Sequence, residues 1–99
     1  MAEIKIFWTE TAQKDLENIY KFLSEYSIQS ARNIVKKILN KPKELKIGFV
    51  YAGAIDEINS NYRRLIVGNY KILYTVQENI IYIHAIFDCR QNPDKLKNI

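Results

Sequence analysis

The chain has 99 residues, 47% of them hydrophobic, with three glycines, two prolines and a formal net charge of +4. That length makes one domain, residues 1–99, with enough apolar content for a core and little room for linkers or disorder. No apolar run approaches the roughly 20 residues that cross a bilayer, the charged start MAEIKIFW is not a signal peptide, and a single cysteine, Cys89, forms no internal disulfide, which fits a reducing cytoplasm. The positive balance points weakly to an acidic partner, nucleic acid or protein, and solvated lysines explain it as readily.

Residues 3–8, EIKIFW, read as a short strand. Thr9 can cap a helix over residues 10–25, in which Ala12, Leu16, Ile19, Tyr20 and Leu23 fall on one face. Ser27 is a second cap. Ala31, Ile34, Val35, Ile38 and Leu39 carry the same period from residue 28 to at least 40. So short a connection predicts an antiparallel helical hairpin. Pro42 lacks an amide hydrogen and should end or kink the second helix, leaving Leu45 on a separate turn. Gly48 and Gly53 bracket an irregular segment containing Phe49, Val50 and Tyr51. A short strand over residues 54–58 then leads through Asn59-Ser60-Asn61 into the sheet.

Residues 62–90 are the most informative stretch. Strand-like runs meet at Gly68-Asn69 and again at Gln77-Glu78-Asn79. Strand side chains alternate between faces. Alternation gives an apolar face of Leu65, Val67, Tyr70, Ile72, Tyr74, Val76, Ile81, Ile83, Ala85 and Phe87, with Arg63 at its entrance. The other face collects Tyr62, Arg64, Ile66, Lys71, Leu73, Thr75, Tyr82, His84, Ile86 and Asp88, with Arg90 beyond. The order of elements predicts an α+β fold: an N-terminal strand, a helical hairpin, then a mainly antiparallel sheet of three to four further strands, with the hairpin on its apolar face.

On spacing alone, Arg64, Lys71 and Arg90 share the open face, where like charges repel until a counter-charge such as phosphate arrives. Ordinary surface charge is the simpler account. His84, the only histidine, could act as acid or base, but a lone strand histidine is more often a packing residue. Asp88 can neutralise Arg90. Arg63 needs a partner on the apolar side, with Asp15 or Glu57 in view. Asp56 and Glu57 read as solvated acids, and Cys89 as an inert thiol. No phosphate loop, dinucleotide fingerprint, zinc spacing or nucleophile elbow is present, so neither cofactor nor metal is expected.

Several motifs occur in a characteristic order: Trp8-Thr9, Ala12-x-x-Asp15-Leu16-x-x-Ile19, and Ala31-x-x-Ile34-x-x-x-Ile38. They are followed by Tyr62-Arg63-Arg64-Leu65, Gly68-Asn69-Tyr70-Lys71-Ile72-Leu73-Tyr74, and Phe87-Asp88-x-Arg90-Gln91-Asn92-Pro93. In this order and spacing, nearly the whole chain resembles the RelE/ParE superfamily of bacterial toxin–antitoxin toxins. The resemblance implies a small cytoplasmic α+β toxin of a type II (plasmid stabilisation) module, held inactive by a cognate antitoxin. RelE-like members cut messenger RNA on the ribosome, and ParE-like members poison DNA gyrase without nuclease activity.

By position, Arg64 matches a strand lysine of the RelE-like site, Lys71 an arginine after a tyrosine, and Arg90 an arginine past the last strand. The resemblance makes these three the catalytic candidates of a ribonuclease; with Tyr82 and His84 they become candidate target-binding residues. Three departures stand out. Tyr62 replaces an expected lysine, Lys71 lacks the bidentate guanidinium, and the tail QNPDKLKNI has no tyrosine or histidine to serve as a late acid or base. As a ribonuclease site the set is incomplete, so the sequence leans to a ParE-like toxin acting by binding gyrase. A RelE-like ribonuclease and an inactive antitoxin-binding relic are the alternatives.

Overall fold

The computed structural model describes residues 4–47 and 53–98. Strand β1 (Lys5–Trp8) leads through Thr9 into helix α1 (Glu10–Ser24). The Thr9 side chain accepts the Ala12 N–H, as an N-cap does. Ser27 caps helix α2 (Ile28–Asn40) in the same way, through the Ser30 N–H. Both helices match the apolar period in the sequence. Pro42 falls just past α2, in a 3-10 helix (Lys41–Ile47) that also buries Leu45. The irregular segment expected around Phe49, Val50 and Tyr51 lies outside the described residues.

The remaining strands are β2 (Ala54–Ile55), β3 (Arg63–Val67), β4 (Tyr70–Gln77) and β5 (Ile80–Asp88), followed by a second 3-10 helix (Pro93–Asn98). β2 is shorter than the five residues expected. The strand order is β1-β5-β4-β3-β2. β1 lies parallel to β5, and the other neighbours are antiparallel. Gly68 has φ +57° and opens the two-residue β3–β4 loop, where a right-twisted hairpin needs positive φ. Among the described residues no helix is long and apolar enough to cross a membrane.

The helical hairpin packs on one face of the sheet. Ala12, Ile38 and Leu45 meet Val67, Tyr70, Ile72, Tyr74, Ile81, Ile83 and Ile86 there, with Leu16, Ile19, Ile34 and Trp8 around them. One irregularity reorganises the rest. Leu73 pairs with Ala85 but Tyr74 pairs with Ile83, so His84 is an extra residue in β5. Such a β-bulge inverts the alternation beyond it. Regular alternation put Ala85 and Phe87 on the helix side and Ile86 on the open side. In the fold Ile86 joins the helix-side core, while Ala85 and Phe87 join Leu73 and Leu96 on the other side, with Ile58 and Tyr62 alongside.

The second face is therefore partly covered. The final 3-10 helix brings Leu96 over it, and the Asn59 amide nitrogen donates to the Leu96 carbonyl at 3.1 Å. Residues 56–62 close over the same half of the sheet.

Candidate functional site on the sheet

Lys71 projects from β4 toward the covered half of the second face and is only 6% exposed. Its ammonium meets Asp56 Oδ1 at 2.8 Å, and Asp56 is 1% exposed. The carboxylate's second oxygen accepts the backbone N–H groups of Ile58 (3.1 Å) and Asn59 (2.8 Å). Burial alone would raise the Asp56 pKa; the Lys71 ammonium and these two N–H groups outweigh it and hold the carboxyl below its ordinary value. Asp56 is thus not the solvated acid expected from sequence. It is a buried counter-ion, placed where the turn at residues 56–59 wraps its backbone around the carboxylate.

Arg64, on β3, reaches the same carboxylate from outside. Its Nη1 lies 3.9 Å from Asp56 Oδ1 and 3.9 Å from Glu57 Oε1. Arg64 and Lys71 are therefore brought together as expected, but around an acid of the chain itself.

Arg90 stands apart from them. Its Nε and Nη2 donate to the two oxygens of Asp88, each at 2.9 Å, and its Nη2 also reaches the Tyr70 hydroxyl at 3.3 Å. The guanidinium carbon lies 5.8 Å from the centre of the Tyr70 ring. Tyr70 belongs to the helix-side core. Alternation placed all three cations on one open face; the bulge at His84 removes Arg90 from that group by turning the end of β5 over. The Arg90 hydrogen bond keeps the Asp88 carboxyl below its ordinary value, so the expected Asp88–Arg90 pair is present.

His84 and Tyr82 lie on the less covered half of the second face. His84 Nε2 is 2.7 Å from Thr75 Oγ1, and the ring sits 5.0 Å from Tyr62 and 6.3 Å from Tyr82. Phe7, 54% exposed on β1, extends the row at 5.8 Å from Tyr82. Burial lowers the His84 pKa below 6.5, so the ring is neutral at neutral pH. It is a packed, hydrogen-bonded histidine.

Arg63 donates from Nη1 to the Gly53 carbonyl at 2.9 Å. The partners expected for it have other work: Asp15 accepts the Ile86 N–H at 3.0 Å, and Glu57 faces Arg64. Desolvation first, then the neighbouring acids, raise the Cys89 thiol pKa despite Lys71 and Arg64, so the thiol stays protonated. Among the described residues no three histidine, cysteine, aspartate or glutamate side chains gather to hold a metal ion.

A family model for the ParE toxin of the type II toxin–antitoxin system parDE matches residues 6–93. The chain belongs to the ParE toxin family. A search of the curated proteins finds no match. Among solved structures, the chromosomal ParDE toxin–antitoxin system from P. aeruginosa superposes with a TM-score of 0.74 at 23% identity, covering 87% of this chain and 96% of that one. The YoeB–YefM complex from Staphylococcus aureus superposes at 0.54 and 24% identity, covering 86% and 95%. At these identities the likeness is one of fold. It confirms the α+β architecture expected for this ParE-family toxin.

Proposed function

We propose that this type II toxin poisons its target by binding, in the ParE manner and with DNA gyrase as target, rather than by cutting messenger RNA. The observation that carries the reading is the buried Lys71–Asp56 pair at 2.8 Å. A ribonuclease of the RelE kind needs cations free to meet a scissile phosphate. Here the chain's own carboxylate holds Lys71, draws on Arg64, and a second carboxylate grips Arg90. His84 is neutral and packed.

The partner that restrains the toxin is a cognate antitoxin, a short chain with an acidic, amphipathic C-terminal segment. An apolar groove of about 550 Å³ runs over the hairpin between Leu16 and Tyr20 of α1 and Val35 and Leu39 of α2, with Trp8 at its end. A helix with an apolar stripe fits such a groove. The exposed Arg32, Lys36 and Lys37 on α2 suit its acidic side chains.

Pulse-labelling in the minutes after induction without antitoxin tests the target. DNA synthesis should fall first while translation continues. An early fall in protein synthesis would replace this reading with ribosomal cleavage, and harmless induction would leave an antitoxin-binding relic. Arg64→Ala should keep killing largely intact.

A further inference from the structure

A second groove, about 470 Å³, lies between α1 and the C-terminal half of β5. Asp15, Ile19 and Phe22 form its α1 wall; Tyr70, Ile86 and Asp88 lie opposite. Two features of it stand out among the described residues. One is Phe22, 50% exposed with its ring against Tyr26. The other is the half-buried Asp15 carboxylate.

One Asp15 oxygen, Oδ2, accepts the Ile86 N–H. Among the described residues no donor meets Oδ1 and no cation lies within ion-pair distance of the carboxylate. Lys95 stands on the rim of the groove without pairing to it, and Arg90 is committed to Asp88. Desolvation raises the Asp15 pKa despite the Ile86 hydrogen bond, as expected of a carboxylate without its cation. The far end of the groove already shows what it holds well. There a guanidinium lies over the Tyr70 ring and forks onto Asp88.

We propose that this groove takes a basic side chain, arginine or lysine, from a partner protein segment, paired to Asp15, with an adjoining apolar residue packed on Phe22. The inference does not depend on gyrase as target. It also differs from the docking of an acidic antitoxin helix on the other side of α1, because the charge sought is opposite. On a chain of net charge +4 a basic segment gains little from the surface as a whole, and the half-buried Asp15 carboxylate beside an apolar wall offers it charge and packing together.

The test is a nuclear magnetic resonance titration of the full chain with three probes: acetyl-leucyl-arginine amide, acetyl-leucyl-norleucine amide and acetyl-leucyl-glutamate amide. The arginine probe should shift the Ile86 amide and the Phe22 ring saturably and bind about tenfold tighter than the norleucine probe, the scale of one charge-assisted contact. Asp15→Asn still accepts the Ile86 N–H, so it should fold, and its preference for arginine should vanish. Phe22→Ala should weaken both the arginine and norleucine probes while keeping their ratio. Equal binding of the three probes, no saturable shift, shifts elsewhere on the surface, or an undiminished arginine preference in Asp15→Asn would each overturn the proposal. If Asp15→Asn failed to fold, the Phe22→Ala result and the probe ratio on the unmodified chain would decide alone.

Discussion

The Thr9 hydroxyl donates to the His84 carbonyl oxygen at 3.1 Å, although 75 residues separate them. The Thr9 hydroxyl oxygen also accepts the Ala12 N–H at 3.2 Å and so caps α1. His84 is the extra residue of the β5 bulge. A bulge interrupts the ladder and leaves backbone groups to be satisfied elsewhere. Two residues beyond, Ile86 N–H is taken by Asp15, one helical turn and a half into α1. The first helix thus fastens both sides of the bulge, and the Thr9 and Asp15 positions of the sequence motif acquire a structural reason.

Replacing that hydroxyl should therefore cost twice. Thr9→Val removes an N-cap, worth about 1 kcal/mol, and strips a part-buried carbonyl of its donor, worth about 1–3 kcal/mol. A loss of about 2–4 kcal/mol in urea unfolding is expected, with Thr9→Ser close to the unmodified chain. If Thr9→Val unfolded at the same denaturant concentration as Thr9→Ser, the hydroxyl would have no such role.

The Lys71–Asp56 pair sets a second expectation. Removing one member of a buried ion pair leaves an orphaned charge and costs about 3–5 kcal/mol, whereas replacing both with apolar groups costs far less. Lys71→Met and Asp56→Asn should each destabilise strongly, and combining the two, which leaves no orphaned charge and keeps an oxygen for the Ile58 and Asn59 N–H groups, should cost clearly less than the sum of the single losses. Because a toxin that acts by binding gyrase uses this pair only structurally, folded double variants should still arrest growth. A double variant that folds normally but no longer kills would assign the pair to the poison itself.

Much of this was legible in the sequence. The two helices announced themselves through period and caps, because Thr9, Ser27 and the apolar stripe act locally. The Gly68-Asn69 hairpin was equally plain, since positive φ at its first position favours glycine. The bulge was not. No glycine or proline marks His84, and the extra residue is paid for by distant groups on α1. With alternation inverted past residue 84, Ile86 and Phe87 change faces and Arg90 leaves Arg64 and Lys71. The burial of Asp56 was hidden for a similar reason. Asp56, in an acidic pair beside a turn, reads as solvated until Lys71 from β4 and the backbone of the turn, itself tied to Leu96 through Asn59, are seen to enclose it.

Gly53 has a sharper requirement than its loop position implies. Its N–H donates to the Tyr74 hydroxyl at 2.9 Å and its carbonyl accepts from Arg63. A Cβ there would lie 2.5 Å from the Arg64 carbonyl oxygen and 2.5 Å from the Tyr74 hydroxyl. Backbone cannot yield as a flexible side-chain tip can, so Gly53→Ala should destabilise by about 1–3 kcal/mol. Gly68→Ala meets no atom within 4 Å and suffers only from its positive φ. Thermal unfolding of the two variants should show different causes: adding Tyr74→Phe should relieve part of the Gly53→Ala loss and none of the Gly68→Ala loss.

Acid titration separates the three structural carboxylates by sign. Asp56 and Asp88 titrate below their ordinary value in the folded chain. Their contribution is present above the unfolded pKa and is lost as pH falls through the lower folded values. Asp15 is displaced the other way by desolvation. Its contribution is full below the unfolded pKa and is lost as pH rises through the raised folded value. Asp15→Asn removes that loss while keeping an acceptor for Ile86 N–H. Urea unfolding between about pH 2 and pH 7 should therefore show the variant gaining on the unmodified chain as pH rises past the ordinary carboxylate range. Asp56→Asn should behave in the opposite sense, with its deficit shrinking as pH falls. A constant difference between Asp15→Asn and the unmodified chain across that range would mean that the Asp15 carboxylate already has a counter-charge in the folded protein.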